Sequence, residues 1–206
     1  MSDPATRKTA LRGELRAARR AIPPRRARRA ARDAARRVQQ LAVWQRARRI
    51  GVYRAADGEI DPQPLIEAAW QAGKAVYLPV IRPPRGRGGR HAARRDGHLV
   101  FRRYRPTTAL RRGLLGLAEP VRTAAVVCPL GGLDLLVMPL VGFDDAGHRL
   151  GMGGGFYDRS LGGRGRWRRP LCLGLGHACQ RCAALPHEPW DRALDICVSD
   201  RETVFC

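Results

Sequence analysis

Apolar positions fall at helical spacing in the first part of the chain and in short unbroken runs afterwards. Leu11, Leu15 and Ala18 recur at intervals of four and three, an apolar stripe on one side of a helix. Ala30, Ala34, Val38, Leu41 and Val43 draw a second stripe over residues 25–45, and Pro23 and Pro24 separate the two. The pattern predicts a helical pair over about residues 5–47. Beyond it, apolar runs at 49–54, 75–78, 98–103, 124–128, 135–138, 171–175 and 196–198 read as strands, the second ended by Pro79. The runs at 124–128 and 135–138 do not alternate, as expected of strands buried on both faces. Helices are predicted at 64–71, with Pro62 or Pro64 in its first turn, from 155 to 161, and near 177–184. Strands alternating with helices predict one layered α/β domain over residues 1–206. Residues 82–97, poor in apolar side chains and rich in Gly and Pro, predict an exposed loop.

Composition narrows the classes. No 18-residue uncharged apolar stretch occurs, and the first residues lack the apolar segment of a signal peptide, so a cytoplasmic protein is expected, with no membrane partner. Six cysteines in 206 residues are too sparse for a disulfide scaffold. Cys179 and Cys182 have CxxC spacing beside His177, but no second pair completes a four-ligand set. The formal charge is +21. Such charge invites a nucleic-acid or ribosome-binding reading, above all for residues 1–50, which hold fifteen arginines against three acids. Yet Lys8 and Lys74 are the only lysines among 39 basic residues, a skew spread over the whole chain. Aromatic residues are nearly absent from the basic segment, so no stacking platform is supported and no specific nucleic-acid partner is expected.

Residues 134–161 carry the most local information. The apolar run at 135–138 stops at Pro139, and a polar turn with Asp144, Asp145 and Gly147 follows. Then come Arg149, four glycines at 151, 153, 154 and 155, and a helix start. A strand, a glycine loop and a helix N-terminus can converge backbone N–H groups on an anion. Arg149 adds a fork of donors suited to phosphate. Glycines also serve tight turns for purely structural reasons. The run lacks the Gly-Lys-Ser/Thr of a Walker motif, and its third glycine comes one residue early for a dinucleotide fingerprint.

These blocks, taken in order, resemble the 5-formyltetrahydrofolate cyclo-ligase family over nearly the full length. The matching blocks are Lys8-x-x-Leu11-Arg12, Gly58-Glu59-Ile60-Asp61, Leu78-Pro79, Gly116 through Glu119-Pro120, Met138-Pro139 with Phe143-Asp144, and RLGMGGGFYDR from Arg149. Leu185-Pro186, Trp190-Asp191 and Ser199-Asp200 close the series. The resemblance implies a three-layer α/β/α domain with a mostly parallel central sheet. It implies conversion of ATP and 5-formyltetrahydrofolate to ADP, phosphate and 5,10-methenyltetrahydrofolate with Mg²⁺. In that reaction the formyl oxygen attacks the γ-phosphorus, and N10 then displaces phosphate.

The same resemblance places Lys8 and Arg12 at the ATP phosphates, four residues apart on one helical face. Arg149, Leu150, Gly151, Met152, Gly153, Gly154, Gly155, Phe156 and Tyr157 would form the phosphate cradle, with Arg149 as the catalytic cation. Family members often carry two tyrosines at the loop's end; the first position here is Phe156. Tyr157 is either a folate contact or helix packing. Glu59 is expected to take pterin N–H donors, a carboxylate accepting two at once. Phe101 and Tyr104 are candidates to line the pterin slot, whereas Val52 and Leu78 read as core. Asp158, Asp200 and Asp144 are the candidate Mg²⁺ ligands, Asp144 having a turn-capping alternative. Nothing in this set demands a second subunit, so a monomer is expected. A sugar-phosphate isomerase or acyl-CoA transferase is a third class that a glycine loop in an α/β domain could serve.

Overall fold

A computed structural model of the protein describes residues 4–83, 93, 96–114, 116–121, 126–162 and 170–206. The chain opens with helices α1 (Pro4–Arg20), α2 (Pro24–Gln40) and α3 (Ala42–Arg46). Strand β1 (Arg49–Gly51), helix α4 (Gln63–Gln71) and strands β2 (Ala75–Arg82) and β3 (His98–Tyr104) follow. A hairpin, β4 (Leu110–Arg112) with β5 (Ala118–Pro120), precedes β6 (Val127–Cys128) and β7 (Leu135–Pro139). A second hairpin, β8 (Gly142–Phe143) with β9 (Arg149–Leu150), leads through the glycine loop to α5 (Phe156–Leu161). Strands β10 (Leu171–Leu175), β11 (Ile196–Val198) and β12 (Thr203–Phe205) complete the chain.

Eight strands form one sheet in the order β12-β11-β10-β7-β1-β2-β3-β6. The five from β11 to β2 are parallel, and β12, β3 and β6 are antiparallel at the margins. Strand alternation sorts the core into two layers. Leu135 and Val137 of β7 face one cluster with Ala34 and Val38 of α2 and Leu65 and Ile66 of α4. Leu136 and Met138 face the other, with Leu161, Phe156 and Tyr157 of α5. The sheet thus has helices on both faces, the three-layer arrangement with a mostly parallel sheet. A third cluster, Leu15, Val141, Leu150 and Leu185, packs α1 across the end of the sheet where β7 stops.

The alanine stripe of α2 is buried while its arginines point outward, as on any amphipathic helix laid on a sheet. The helical pair is a trio, because Leu41 adopts an extended backbone and starts α3 anew. No helix among the described residues is long and apolar enough to cross a membrane.

Four local expectations need correction. The second strand does not end at Pro79 but runs on to Arg82. Tyr77 bonds toward β1, so Pro79, two residues on, faces that same side, where β1 has already left the sheet; its missing N–H costs nothing there. The first strand is three residues, not six, because the chain turns away after Gly51. The run at 124–128 is not a strand buried on both faces. Ala124 and Ala125 lie outside the described residues, and Val126 and Val127 are 62% and 52% exposed at the sheet edge. Near 177–184 only a 3₁₀ turn, Ala178–Gln180, forms. It is capped by His177 and Gln180, whose amide also reaches the Leu140 and Val141 carbonyls. The predicted loop at 82–97 falls mostly outside the described residues.

Candidate functional site

A cavity of about 680 Å³ opens at the C-terminal ends of β2 and β7, where parallel α/β sheets place ligands. Chain order explains its walls. The glycine loop leaves β9 and crosses the sheet end; α1 lies over it; the turn after β1 and the β4–β5 hairpin close the opposite side.

At the loop end, Gly153 and Gly155 hold φ of 90° and 62°, values that favour glycine. A Cβ at Gly151 would meet no atom within 4 Å, so this stretch of backbone borders open space. Arg12 Nε donates to the Gly151 carbonyl at 2.8 Å and holds the loop from above. Lys8, one turn earlier, is 2.9 Å from Asp191 Oδ2, and both line the cavity. Arg149 is nearly buried and donates to Asp158 Oδ1 at 2.6 Å and to the Arg192 carbonyl at 2.5 Å. All nine loop positions from Arg149 to Tyr157 border the cavity. Helix α5 is only six residues long, so loop amides and cations, rather than a helix dipole, make this end attractive to anions.

The other end is more acidic and more aromatic. Glu59 sits on the turn after β1, its Oε2 accepting from the Ala56 N–H at 3.0 Å. Burial pushes its carboxyl up to about 7, against the opposing pull of that N–H and of Arg19. Tyr53 and Tyr157 line the same wall, and burial followed by the Glu59 charge raises both phenols. Tyr53 donates to the Ile60 carbonyl at 2.5 Å, which fastens the turn.

The structure brings Lys8, Arg12, Glu59, Asp158 and the whole 149–157 loop onto one cavity. It does not bring the others. Phe101 is fully buried in the second core cluster, so it packs rather than faces a ligand. Tyr104, an odd number of residues from Phe101, projects to the opposite sheet face, where its ring meets that of Trp70 in a tilted contact at 5.1 Å between centroids. Both are core, which corrects their assignment to the pterin slot. Asp144 is buried and spent on its own turn: it accepts from the Ala146, His148 and Leu185 N–H groups and contacts His148 Nδ1 at 3.0 Å. Its capping alternative is the one the geometry supports. Asp200 accepts from the Ala178 N–H and does not line the cavity. The three aspartates therefore do not converge, and no cluster of three or more His, Cys, Asp or Glu suited to a metal occurs among the described residues. Cys179 is exposed, Cys182 half-buried, and both are free thiols.

Sequence reasoning missed Ile81, Leu99, Leu117, Trp190 and Asp191 on the walls. Ile81 and Leu99 are register partners on β2 and β3, two residues beyond the Pro79–Phe101 pair and on its face. Trp190 and Asp191 had a signal, being one of the quoted blocks, but no role was attached to them.

Comparison with known proteins agrees with this geometry. A family model for the 5-formyltetrahydrofolate cyclo-ligase family matches residues 4–200. The 5-formyltetrahydrofolate cyclo-ligase of Escherichia coli (strain K12) is 40% identical over 187 residues, 90% of this chain and 96% of that protein. The Haemophilus influenzae cyclo-ligase is 41% identical over 161 residues, covering 77% of this chain and 79% of that protein. The solved structure of Aquifex aeolicus 5,10-methenyltetrahydrofolate synthetase superposes with a TM-score of 0.76 at 25% identity, covering 96% of this chain and 92% of that one. The Mycoplasma pneumoniae 5,10-methenyltetrahydrofolate synthetase shares the fold with a TM-score of 0.69 at 20% identity, covering 94% of this chain and 98% of that one. With its loop, its helix α1 and its sheet matched almost end to end, the chain belongs to the 5-formyltetrahydrofolate cyclo-ligase family.

Proposed function

We propose that this protein cyclises 5-formyltetrahydrofolate to 5,10-methenyltetrahydrofolate, converting ATP to ADP and phosphate. The observation that carries the reading is one cavity with two unlike ends, cationic at the glycine loop and carboxylate-and-phenol at Glu59. The triphosphate lies against the loop, with Lys8 and Arg12 above it and Arg149 beside the γ-phosphate. The folate enters between Ile81, Leu99 and Leu117, its pterin toward Glu59, Tyr53 and Tyr157.

The chemistry asks for placement more than for a protein nucleophile. The formyl oxygen attacks the γ-phosphorus and ADP leaves. N10 then attacks the formyl carbon, loses its proton, and the former formyl oxygen departs with phosphate. Holding the reactants in line, and neutralising charge on the phosphoryl group in flight, are tasks for Arg149, Lys8 and the loop amides. The low-exposure Arg149 is already oriented by Asp158 and Arg192, so little reorganisation is needed.

Mg²⁺ fits as a cation delivered on the triphosphate, not as one held in a protein cage. Mg²⁺ keeps several waters and takes one or two carboxylates with the phosphates. Asp158, at the loop end, is the one of the three expected aspartates that borders the cavity. When bound, the ion would add charge neutralisation on the phosphates.

The reading includes a monomeric cytoplasmic enzyme; all six cysteines are free, as a reducing compartment keeps them. Purified protein is tested by following methenyl-folate absorbance with ATP, Mg²⁺ or 5-formyltetrahydrofolate omitted in turn. Product in the absence of ATP would overturn the activity; specific activity that falls on dilution would overturn the monomer.

A further inference from the structure

Asp57 stands two residues before Glu59 and is the only non-glycine with a positive φ, 54°, among the described residues. Asp tolerates this conformation better than most side chains, but it still needs a reason to be held there. The reason is α1. Arg16, Arg19 and Arg20, at helical spacings that share one face, all converge on the Asp57 carboxylate. Arg16 Nε and Arg19 Nη2 each lie 2.8 Å from Oδ2, and Arg20 Nε lies 2.5 Å from Oδ1. Arg19 Nε also donates to the Asp57 carbonyl at 2.8 Å, so the same guanidinium grips backbone and side chain.

Arg19 is the most unusual member. It is 1% exposed; its Nη1 donates to the Leu140 carbonyl just past β7 at 3.2 Å, and its Nη2 also lies 3.9 Å from the Met152 sulfur. A buried guanidinium is tolerated only with a full set of partners. Gly58 packs against the α1 backbone, where a Cβ would come within 3.4 Å of the Arg19 carbonyl. The turn that presents Glu59 is therefore seated on α1, the helix whose other turns place Lys8 and Arg12 at the glycine loop.

We propose that Asp57 is a positioning residue: seated by Arg16, Arg19 and Arg20, it fixes where Glu59 projects into the cavity. It touches no ligand and acts through Glu59. The groups facing Glu59 are few. Arg19 comes from α1, Asp57 from the same turn, Tyr53 from the segment after β1 and Tyr157 from α5. Asp61 acts on Tyr53, Arg149 acts on Tyr157, and buried His177 faces the Gly58 backbone. Among these, Asp57 and Arg19 oppose each other at the Glu59 carboxyl, the first favouring the neutral acid and the second the anion.

The turnover arm of the test rests on the proposed activity; the titration arm does not. Asp57→Asn keeps tolerance of the positive φ and removes the charge. The Glu59 carboxyl, assigned with Glu59→Gln, is followed by carbon NMR. Asp57→Asn should move its midpoint toward acid, since the Asp57 charge favours the neutral Glu59 carboxyl. In kinetics the KM for 5-formyltetrahydrofolate should rise about tenfold and that for ATP less than about threefold. In a Glu59→Gln background the same change should add almost nothing, since the two residues act in series. A folded Asp57→Asn with native Glu59 midpoint and native folate KM would overturn the proposal, and so would additivity with Glu59→Gln. If Asp57→Asn does not fold, Arg20→Met, which loosens the seat from the exposed side, should raise the folate KM selectively; no change there overturns it equally. A wild-type protein without ATP-driven product would defeat the activity alone, because the Glu59 titration still decides the role of Asp57.

Discussion

Arg149 and Asp158 form an ion pair at 2.6 Å that joins the two ends of the glycine loop. Arg149 opens the 149–157 loop from β9, and Asp158 lies in the first turn of α5 at its end. The pair thus fixes the loop's span while aiming a guanidinium along its inner edge. With Arg149 only 6% exposed at its side chain, the cation has no freedom to search for its phosphate partner.

Arg149→Met should therefore lower kcat by about 10²–10³-fold, the loss typical of removing one preorganised transition-state donor. Arg149→Lys should recover little, because the Arg192 carbonyl and Asp158 are met by separate nitrogens of a planar fork, which one compact ammonium does not reproduce. Steady-state kinetics at saturating ATP check both. A lysine variant near the wild-type rate would show that charge alone, without the fork, is enough.

Two loop glycines should respond for different reasons. Gly151 lines the cavity and a Cβ there meets no atom within 4 Å, so in Gly151→Val the fold should hold while ATP affinity falls about tenfold or more, from collision with the ligand. Gly153→Val meets φ of 90° and brings its Cβ within 3.9 Å of the Arg12 guanidinium, so it should strain the loop, abolish ATP binding and lower Tm. Calorimetric ATP titration beside thermal unfolding separates the two. Native ATP affinity in both variants would move the phosphate cradle elsewhere.

What the sequence made legible was local; what it hid was long-range. The run at 135–138, the helix start after the glycine loop and the Ala30, Ala34 and Val38 part of the second stripe are patterns within a few residues, and each took its expected form; Leu41 and Val43 fell beyond the end of α2. Lys8 and Arg12 were singled out by the family resemblance, and one helix turn between them lets both border the cavity. Phe101 and Tyr104 misled because both are aromatics on one strand, and only the pairing with β2 reveals which face each takes. Asp144 and Asp158 looked alike as acids flanking the loop. They differ because the Leu185 N–H, 41 residues on, caps the first, and Arg149 engages the second. Asp57 attracted no notice, since its three partners lie 37 to 41 residues upstream.

Glu59 should make stability depend on pH. Its folded carboxyl is raised from 4.5 to about 7, so the native state keeps a proton that the unfolded chain releases. Stability then falls as pH rises from about 4.5 to about 7 and levels off above that. Glu59→Gln can still accept from the Ala56 N–H but carries no charge to bury. It should stabilise the ligand-free protein by on the order of 2–3 kcal/mol at pH 8 and by almost nothing at pH 4. Denaturant titrations at the two pH values give the difference directly. An equal effect at both would mean that Glu59 acts through packing, not through its charge.

Asp144 and Asp158 give the sharpest contrast, because they stand near one loop and serve different ends. Asp144 holds its turn through three backbone N–H groups and the His148 ring, and it is 3% exposed. Asp144→Ala leaves those donors unpaired and should cost on the order of 3 kcal/mol of stability. The folded fraction should need the same Mg²⁺ concentration for half-maximal rate as the wild type, since this side chain does not border the cavity. Asp158→Asn should do the reverse. Asparagine can still accept from Arg149 and from the Arg192 N–H, so Tm should change little. Its lost charge should raise the Mg²⁺ requirement about tenfold, as one of the one or two carboxylates such a cation takes is gone. Rate against Mg²⁺ concentration, with Tm measured on the same samples, decides between them. If Asp144→Ala shifted the Mg²⁺ curve while Asp158→Asn left it in place, the metal would belong with the buried turn and the assignment made from the cavity would fall.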